Sequence, residues 1–475
     1  MNLRSPLISL LPLSAFFASN SQLNQARLDN NDQETHKILP SDMARPSLKV
    51  LISGAGIAGN ALAFWLTKLG HDVTVVERHP ILRASGLQLD LRGPGIEVLR
   101  QMGLEQAFRA KSVPERGMQV VDSKGRQRAY FPASEPGGKN KNSLTSEFEI
   151  MRGDLCRVFY DAATSPARNN GAKYKFGTAI ESFEHDDSSV DVRFENGEMD
   201  RFDLLVGADG QWSRTRRMML GLEAGSSGIP HADGLHPVEG LYFAYFTLRR
   251  PIQGGEKYIA TSYIPAGRRC IMTRRHSPHE MQVIFSCKTD SKRLKNARRG
   301  DVEEEKSAFA EIFQGAGWQT EDLVKSMGDA DDFYCERLGL VKLEPWSRGH
   351  VTLVGDAAYC PTVLTGMGTT SAVVGAYILA GEIGRSYRAF EGPDSLSTAL
   401  KAYESKFRPF MEGLQKGVLE NSSRQWDMLG SAFSVAVVNW ALSIASYFRL
   451  NIGMFGVRDT VKGWELPRYE GILQD

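Results

Sequence analysis

The sequence predicts an α/β fold: a parallel sheet wound with helices, an inserted, mainly antiparallel β-sheet domain, and a helical C-terminus. Three observations predict it. A short apolar run at 48–53 leads through a Gly-rich turn into an apolar-striped helix and then a second β-branched run at 72–77. From about 225 to 345 the texture changes to aromatic-rich runs such as LYFAYFTL (241–248) and MQVIFS (281–286), as expected of antiparallel strands. From Ser395 onward the pattern is mostly helical.

At 475 residues the chain exceeds one simple core. The expected division is a leader or disordered extension over 1–47, a first sheet domain over 48–224, and an inserted sheet over 225–345. The first domain then returns over 346–394, and a helical region covers 395–475. A net charge of +1 excludes a global pull toward nucleic acid or an anionic membrane. The cysteines (Cys156, Cys270, Cys287, Cys335, Cys360) are scattered. Their spacing suggests neither a metal site nor a disulfide framework, and they read as buried thiols of a reducing, cytoplasmic compartment. Residues 1–21 resemble a secretory signal peptide, with Arg4 before an apolar run at 7–18, but Phe16 stands where cleavage wants a small residue. The working core is expected to begin near Met43.

In order, the elements are a strand at 48–53, a helix at 60–69 stopped by Gly70, and a strand at 72–77. A helix at 94–102 ends at Gly103, hairpins and a polar loop fill 116–145, and a helix returns at 152–164. Strands at 174–178, 190–194 and 199–202 follow, the last two joined by Asn196-Gly197, a hairpin signal. Buried strands at 204–208 and 350–356 complete the parallel set, and a long helix is expected at 369–384. The stretch 428–448 carries no charged residue, and its length of about 21 approaches the ~20 of a bilayer span. Its serines dilute the hydrophobicity. Packing on the first domain and membrane association are both readings of it.

The chemistry sits at strand ends. Gly54-Ala-Gly56-Ile57-Ala58-Gly59 joins a buried strand to a helix. Gly54 permits the tight turn, Gly56 lets backbone approach a pyrophosphate, and Gly59 allows close helix–strand packing. Amides at the helix start, around Ile57 and Ala58, offer donors to a diphosphate. Glu77, with Arg78 beside it, ends the next strand and can accept from a ribose diol. That makes the unit a Rossmann-type dinucleotide site, equally suited to NAD and FAD. Asp209, in GADGQWSRTR, and Asp356, in GDAAYCP, stand at two later strand ends, where carboxylates reach a ligand crevice. Pro361 and Gly366-Met367-Gly368 then open a second anion-receptive helix start, a seat for a flavin ring. Together they favour FAD.

These motifs, in this order over residues 48 to 415, resemble the FAD-dependent aromatic hydroxylase-like monooxygenases of the para-hydroxybenzoate hydroxylase and tetracycline-modifying type. The resemblance implies that Glu77 holds the adenosine ribose, that Arg152 contacts FAD, and that Asp209 and Asp356 touch the pyrophosphate–ribityl segment. It places Ser213 and Arg216 in a motif shared between FAD and NAD(P)H contacts, and Asp90-Leu-Arg92-Gly93 near the isoalloxazine. For Arg92, a salt bridge and a flavin contact are equally compatible. Many relatives carry Asp-Ala where this chain reads Val374-Gly375-Ala376-Tyr377. The implied activity uses NAD(P)H and O2 to hydroxylate or epoxidise a hydrophobic, aromatic or polyketide-like small molecule of secondary metabolism through a flavin hydroperoxide. An oxidase or dehydrogenase on the same fold, and a non-catalytic FAD-binding module, are the alternatives. No acid/base pair stands out, so no catalytic residue is assigned. Phe243, Tyr245, Tyr263 and Met272 are candidates for the substrate-pocket wall.

Overall fold

The strand Lys49–Ser53 lies between two parallel neighbours, Asp72–Glu77 and Leu204–Gly207. Buried on both faces, it reads as a continuous apolar run rather than an alternation. The computed structural model describes residues 47–83, 86–133, 148–165, 171–186, 188–222, 231–389, 395–450 and 460–473. All belong to a unit running from Pro46 to Asp475. The expected leader at 1–42 and the polar loop around 136–142 lie outside the described residues.

The first sheet runs Ser347–Arg348, Val351–Leu353, Leu204–Gly207, Lys49–Ser53, Asp72–Glu77, Lys173–Phe176, parallel except at its first pair. Chain direction across the sheet reverses at Lys49–Ser53: later strands add on one side through Asp72–Glu77 and on the other through Leu204–Gly207. A ligand crevice is expected outside the carboxyl ends at such a point. Helix Ile57–Lys68 packs by Trp65 on Tyr377 of helix Gly368–Ala389, ring centroids 5.4 Å apart. Helix Ser395–Gln415 buries Tyr403, Phe407 and Phe410 in the same core. The Val374–Tyr377 departure has a packing reason. A Cβ on Gly375 would stand 1.8 Å from the Tyr359 hydroxyl, which bonds Tyr403 at 3.1 Å.

The second sheet is mixed. Its order is Tyr334–Val341, Leu235–Arg249, Glu280–Lys288, Arg269–Arg275, Ala260–Tyr263, Gly117–Val121, Gln127–Pro132. Ala260–Tyr263 pairs parallel with Gly117–Val121, and the other neighbours pair antiparallel. The 117–132 hairpin therefore supplies its far edge. Helices Val302–Phe313 and Thr320–Gly328, where the sequence pattern suggested only sheet, cover one face. Asp301 caps the first of them, and Phe313 stacks on Phe285 at 4.5 Å. Tyr242, Ala244 and Phe246 point into this layer. The alternate residues, Phe243 and Tyr245, face the other side, by the period-two geometry of a strand.

The charge-free C-terminal stretch forms helix Ala432–Tyr447, 16 residues long. At 1.5 Å per residue it spans about 24 Å, short of a ~30 Å hydrocarbon core. No single helix among the described residues is long and apolar enough to cross a membrane. This helix packs on the 117–132 hairpin, which lies within the expected first domain of 48–224. Leu442 and Ala445 meet Val120, Ala129 and Phe131, while the Ser446 hydroxyl accepts from Tyr130 N and donates to Tyr130 O, each at 2.9 Å. An edge strand's free backbone groups need cover, and Ser446 provides it. Phe433 (80% exposed) and Trp440 (67% exposed) lie on the opposite, open face.

Candidate active site

A cavity of about 580 Å³ begins at the carboxyl ends of the first sheet and extends to the second. At its floor the Gly-rich turn follows from sterics. Gly54 has φ +112, and a Cβ there would lie 2.7 Å from the Ala208 carbonyl oxygen. A Cβ on Gly59 would lie 2.0 Å from the Gly54 carbonyl oxygen, so only hydrogen fits between turn and helix. Helix Ile57–Lys68 starts with no side-chain cap and no acid in its first turn. Its first amides are left for a ligand, and a helix N-terminus favours an anion.

Gly54, Gly56, Ile57, Ala58, Glu77, Arg78, Arg152, Asp209, Asp356, Pro361, Gly366 and Gly368 all line this cavity. Three of the expected residues do not. Gly59 works behind the turn. Met367 is fully buried in the core. Arg92 is 4% exposed and pairs with Asp90, which itself lines the cavity. Its backbone N donates to the Thr370 hydroxyl at 3.0 Å, tying this stretch to the start of helix Gly368–Ala389. Of the two readings of Arg92, the structure shows the salt bridge.

Several lining acids are already engaged. Glu77 accepts from the amides of Ala55 and His79, each at 3.0 Å, so it braces the turn as well as facing the cavity. Asp209 accepts from Ser213 Oγ at 2.5 Å and from Thr215 N at 3.0 Å, capping the following helix. Ser213 and Arg216 are fully buried. The Arg216 guanidinium donates to the carbonyls of Gln211 at 2.8 Å and Ala357 at 3.0 Å, binding the two Asp motifs together beneath the cavity. Burial raises the Asp356 carboxyl above its ordinary range, with the Arg152 charge opposing it.

Arg152 opens helix Arg152–Ala163, and its guanidinium forms no hydrogen bond or ion pair among the described residues. Arg78, Arg83 and Arg299 line the same cavity. Burial and the Arg152 charge hold Arg83 below the usual arginine range. Cations held together against their mutual repulsion make a site of positive potential. With the exposed helix start and the glycine cradle, these residues fit an extended dinucleotide diphosphate.

Of the candidate wall residues only Tyr245 lines the cavity. Phe243 packs on Trp426 with ring centroids 6.2 Å apart. Tyr263 points into the helical layer and donates to the Ala316 carbonyl at 2.7 Å. Met272 stands opposite Ile284, itself opposite Tyr245, so it shares that sheet face but is not among the residues lining the cavity. Tyr334, Glu336 and Leu338 were missed. They alternate along Tyr334–Val341, a signal readable in Tyr-Cys-Glu-Arg-Leu once that segment is known to be a strand.

Fold and cavity thus fit a dinucleotide-binding protein whose cavity reaches from the first sheet to the second. The FAD binding domain family matches residues 47–417. The chain is 49% identical over 441 residues to the FAD-dependent monooxygenase asL4 of Sarocladium schorii, covering 90% of this chain and 100% of that one. It is 43% identical over 383 residues to the flavin-dependent monooxygenase eupH of Phoma sp, covering 77% of this chain and 84% of that one. Among solved structures, the tetracycline destructase Tet(51) superposes with a TM-score of 0.66 at 28% identity, covering 90% of this chain and 100% of that one. Klebsiella pneumoniae HpxO, complexed with FAD and uric acid, shares the fold at 18% identity, with a TM-score of 0.64 and coverage of 86% and 96%. The chain belongs to the FAD-dependent monooxygenases of the aromatic hydroxylase-like family, and it is an oxidoreductase that binds FAD.

Proposed function

We propose that the enzyme uses NAD(P)H and O2 to insert one oxygen atom into a hydrophobic, aromatic or polyketide-like small molecule, as a step of secondary metabolism. One observation carries this reading: the cavity is continuous from the diphosphate cradle at Gly54–Ala58 to the wall at Tyr245, Tyr334 and Leu338. The amides at Ile57 and Ala58 and the Arg152 guanidinium would hold the diphosphate, and Glu77 the adenosine ribose. Asp209 and Asp356 would face the ribityl segment, with Pro361, Gly366 and Gly368 along the flavin ring. Bound FAD would take a hydride from NAD(P)H and activate O2 for transfer to the substrate. The protein's part is to orient the substrate, exclude water and place charge. The likeness to a tetracycline destructase supports a substrate built of rings. The five unpaired cysteines suit a reducing compartment. Incubating holoenzyme, NADPH and O2 with aromatic and polyketide compounds is expected to yield a product heavier by one oxygen. Hydrogen peroxide in step with NADPH loss, and no oxygenated product, would overturn the reading.

A further inference from the structure

The C-terminal helix Ala432–Tyr447 has two apolar faces. One meets the 117–132 hairpin through Leu442 and Ala445. The other carries Phe433, Val437, Trp440 and Tyr447, all exposed, with Tyr447 at 82%. Phe448 and Leu450, also exposed, continue it past the helix end. At 3.6 residues per turn, positions seven apart fall within about 20° of each other, so Phe433, Trp440 and Tyr447 form a nearly straight row. Exposed Ala436 and Ala441 flank Trp440. No charged residue interrupts the chain from Met428 to Phe448. A buried aromatic ring covers about 150–250 Å², so at their exposures the four rings leave roughly 450–700 Å² uncovered. The largest apolar patch of a monomer is ordinarily about 300–600 Å².

We infer that this face pairs with the same face of a second copy of the chain, in an antiparallel two-fold dimer. Large apolar residues repeating every seven positions make the seam of helices that pack along their length. In a two-fold pair with its axis at Trp440, Phe433 lies beside the partner's Tyr447, because both positions stand seven residues from Trp440. Ala436 and Ala441 leave room for a second large ring to settle beside the first. With Val437 and Leu450 added, the face approaches the roughly 800 Å² that each partner gives to a standard-size interface.

The surroundings favour a protein surface over a lipid one. A helix that lies in a membrane interface carries Lys and Arg on its polar face. Here the opposite face is apolar and occupied by the hairpin, and the charges at the helix start are of mixed sign. Asp427 pairs with Lys288 at 2.8 Å and with Arg268 at 3.0 Å, while Glu420 and Arg424 lie on the preceding helix, Val418–Asp427. The contact is also remote from the cavity. The hairpin forms one edge of the second sheet, and the cavity-lining strands Tyr334–Val341 and Leu235–Arg249 lie at the other. The chain's own packing uses only the inner face of the helix, so each copy stands alone when the pair is diluted.

Sedimentation of the FAD-loaded full chain, from nanomolar to tens of micromolar, reads the assembly directly. A change from one chain to two is expected within that range. Trp440→Glu and Phe433→Glu should each raise the dimer dissociation constant by roughly thirtyfold or more, as the loss of an aromatic anchor does. Phe433→Cys mixed with Tyr447→Cys should give a disulfide-linked pair under mild oxidation, and Phe433→Cys alone should not. FAD content, and a melting temperature taken where wild type is a single chain, should match wild type in every variant, so that lost pairing is not lost fold. A single chain at every concentration, or a dimer that keeps its affinity in both Glu variants, would overturn the proposal. So would binding to phosphatidylcholine–phosphatidylserine vesicles that the Glu variants lose, which gives the face to a bilayer. A dimer that appears only after removal of residues 1–42 would overturn it as well, by giving the face to the apolar run at 7–18.

Discussion

The two ends of the cavity are built from different materials. The cradle at Gly54–Gly59 is a backbone site in which the position of a missing Cβ and the start of a helix do the recognition. The wall at Tyr245, Tyr334, Glu336 and Leu338 is a side-chain site, raised on two adjacent strands. A backbone site tolerates almost no change at its glycines. A side-chain site can be altered residue by residue while the sheet beneath it stands. The wall can therefore change while the cradle is kept.

Substitutions at and around the two ends sharpen the comparison, the largest effect coming first. Gly59→Ala places a methyl 2.0 Å from the Gly54 carbonyl oxygen, so backbone must move. Overpacking of this kind costs about 3 kcal/mol or more, and FAD affinity should fall at least roughly a hundredfold. The flavin absorbance of the purified protein reports it. Arg152→Ala removes a cavity-lining guanidinium with no protein partner among the described residues. Loss of a charged hydrogen bond of about 1.5–3 kcal/mol should weaken FAD roughly tenfold to a hundredfold, with little change in melting temperature. Arg92→Met should do the reverse, because it strands Asp90 in a buried pair: the melting temperature drops, while folded protein still takes up FAD.

The fourth prediction concerns the seam between the two sheets. Glu149 and Glu115 both pair with the buried Arg274, at 2.9 and 2.8 Å, and Gln88 donates to both carboxylates. Burial, opposed by Arg274, pushes the Glu149 carboxyl up to about 7. A carboxyl raised in the folded state favours folding while it is protonated, and that stability is lost as pH rises from about 4.5 through about 7. The melting temperature should fall across this interval in the wild type and fall less in Glu149→Gln. The smallest effect is expected at the open face of the C-terminal helix. Trp440→Gln, at 67% exposure, should change stability by no more than about 0.5 kcal/mol. By contrast Ser446→Ala, which uncovers Tyr130, should cost roughly 1 kcal/mol.

The same contrast explains what the sequence made legible. The Gly-rich turn, Glu77 and the two Asp motifs act through neighbours in the chain, so their spacing announces them. The parallel strands were readable for a related reason, since burial on both faces leaves an unbroken apolar run. Arg92 was compatible with both a salt bridge and a cofactor contact, because its partner Asp90, two residues away, could not be told from a ligand by sequence. Phe243, Tyr263 and Met272 sit on strands whose facing is fixed by distant packing, the helical layer over one side and Trp426 over the other. That layer came from 302–328, where the aromatic texture of the flanking strands masked two short helices. The C-terminal helix carried no mark of the edge strand it covers, because Ser446 meets Tyr130 from 316 positions away.

The most direct test of the division between the two ends is the FAD dissociation constant of Glu336→Gln, measured beside wild type and Gly59→Ala. Glu336→Gln is expected to bind FAD within about threefold of wild type, as a change of roughly 0.5 kcal/mol allows. A loss of FAD as large as that in Gly59→Ala would contradict it, by placing Glu336 in the cofactor's half of the cavity.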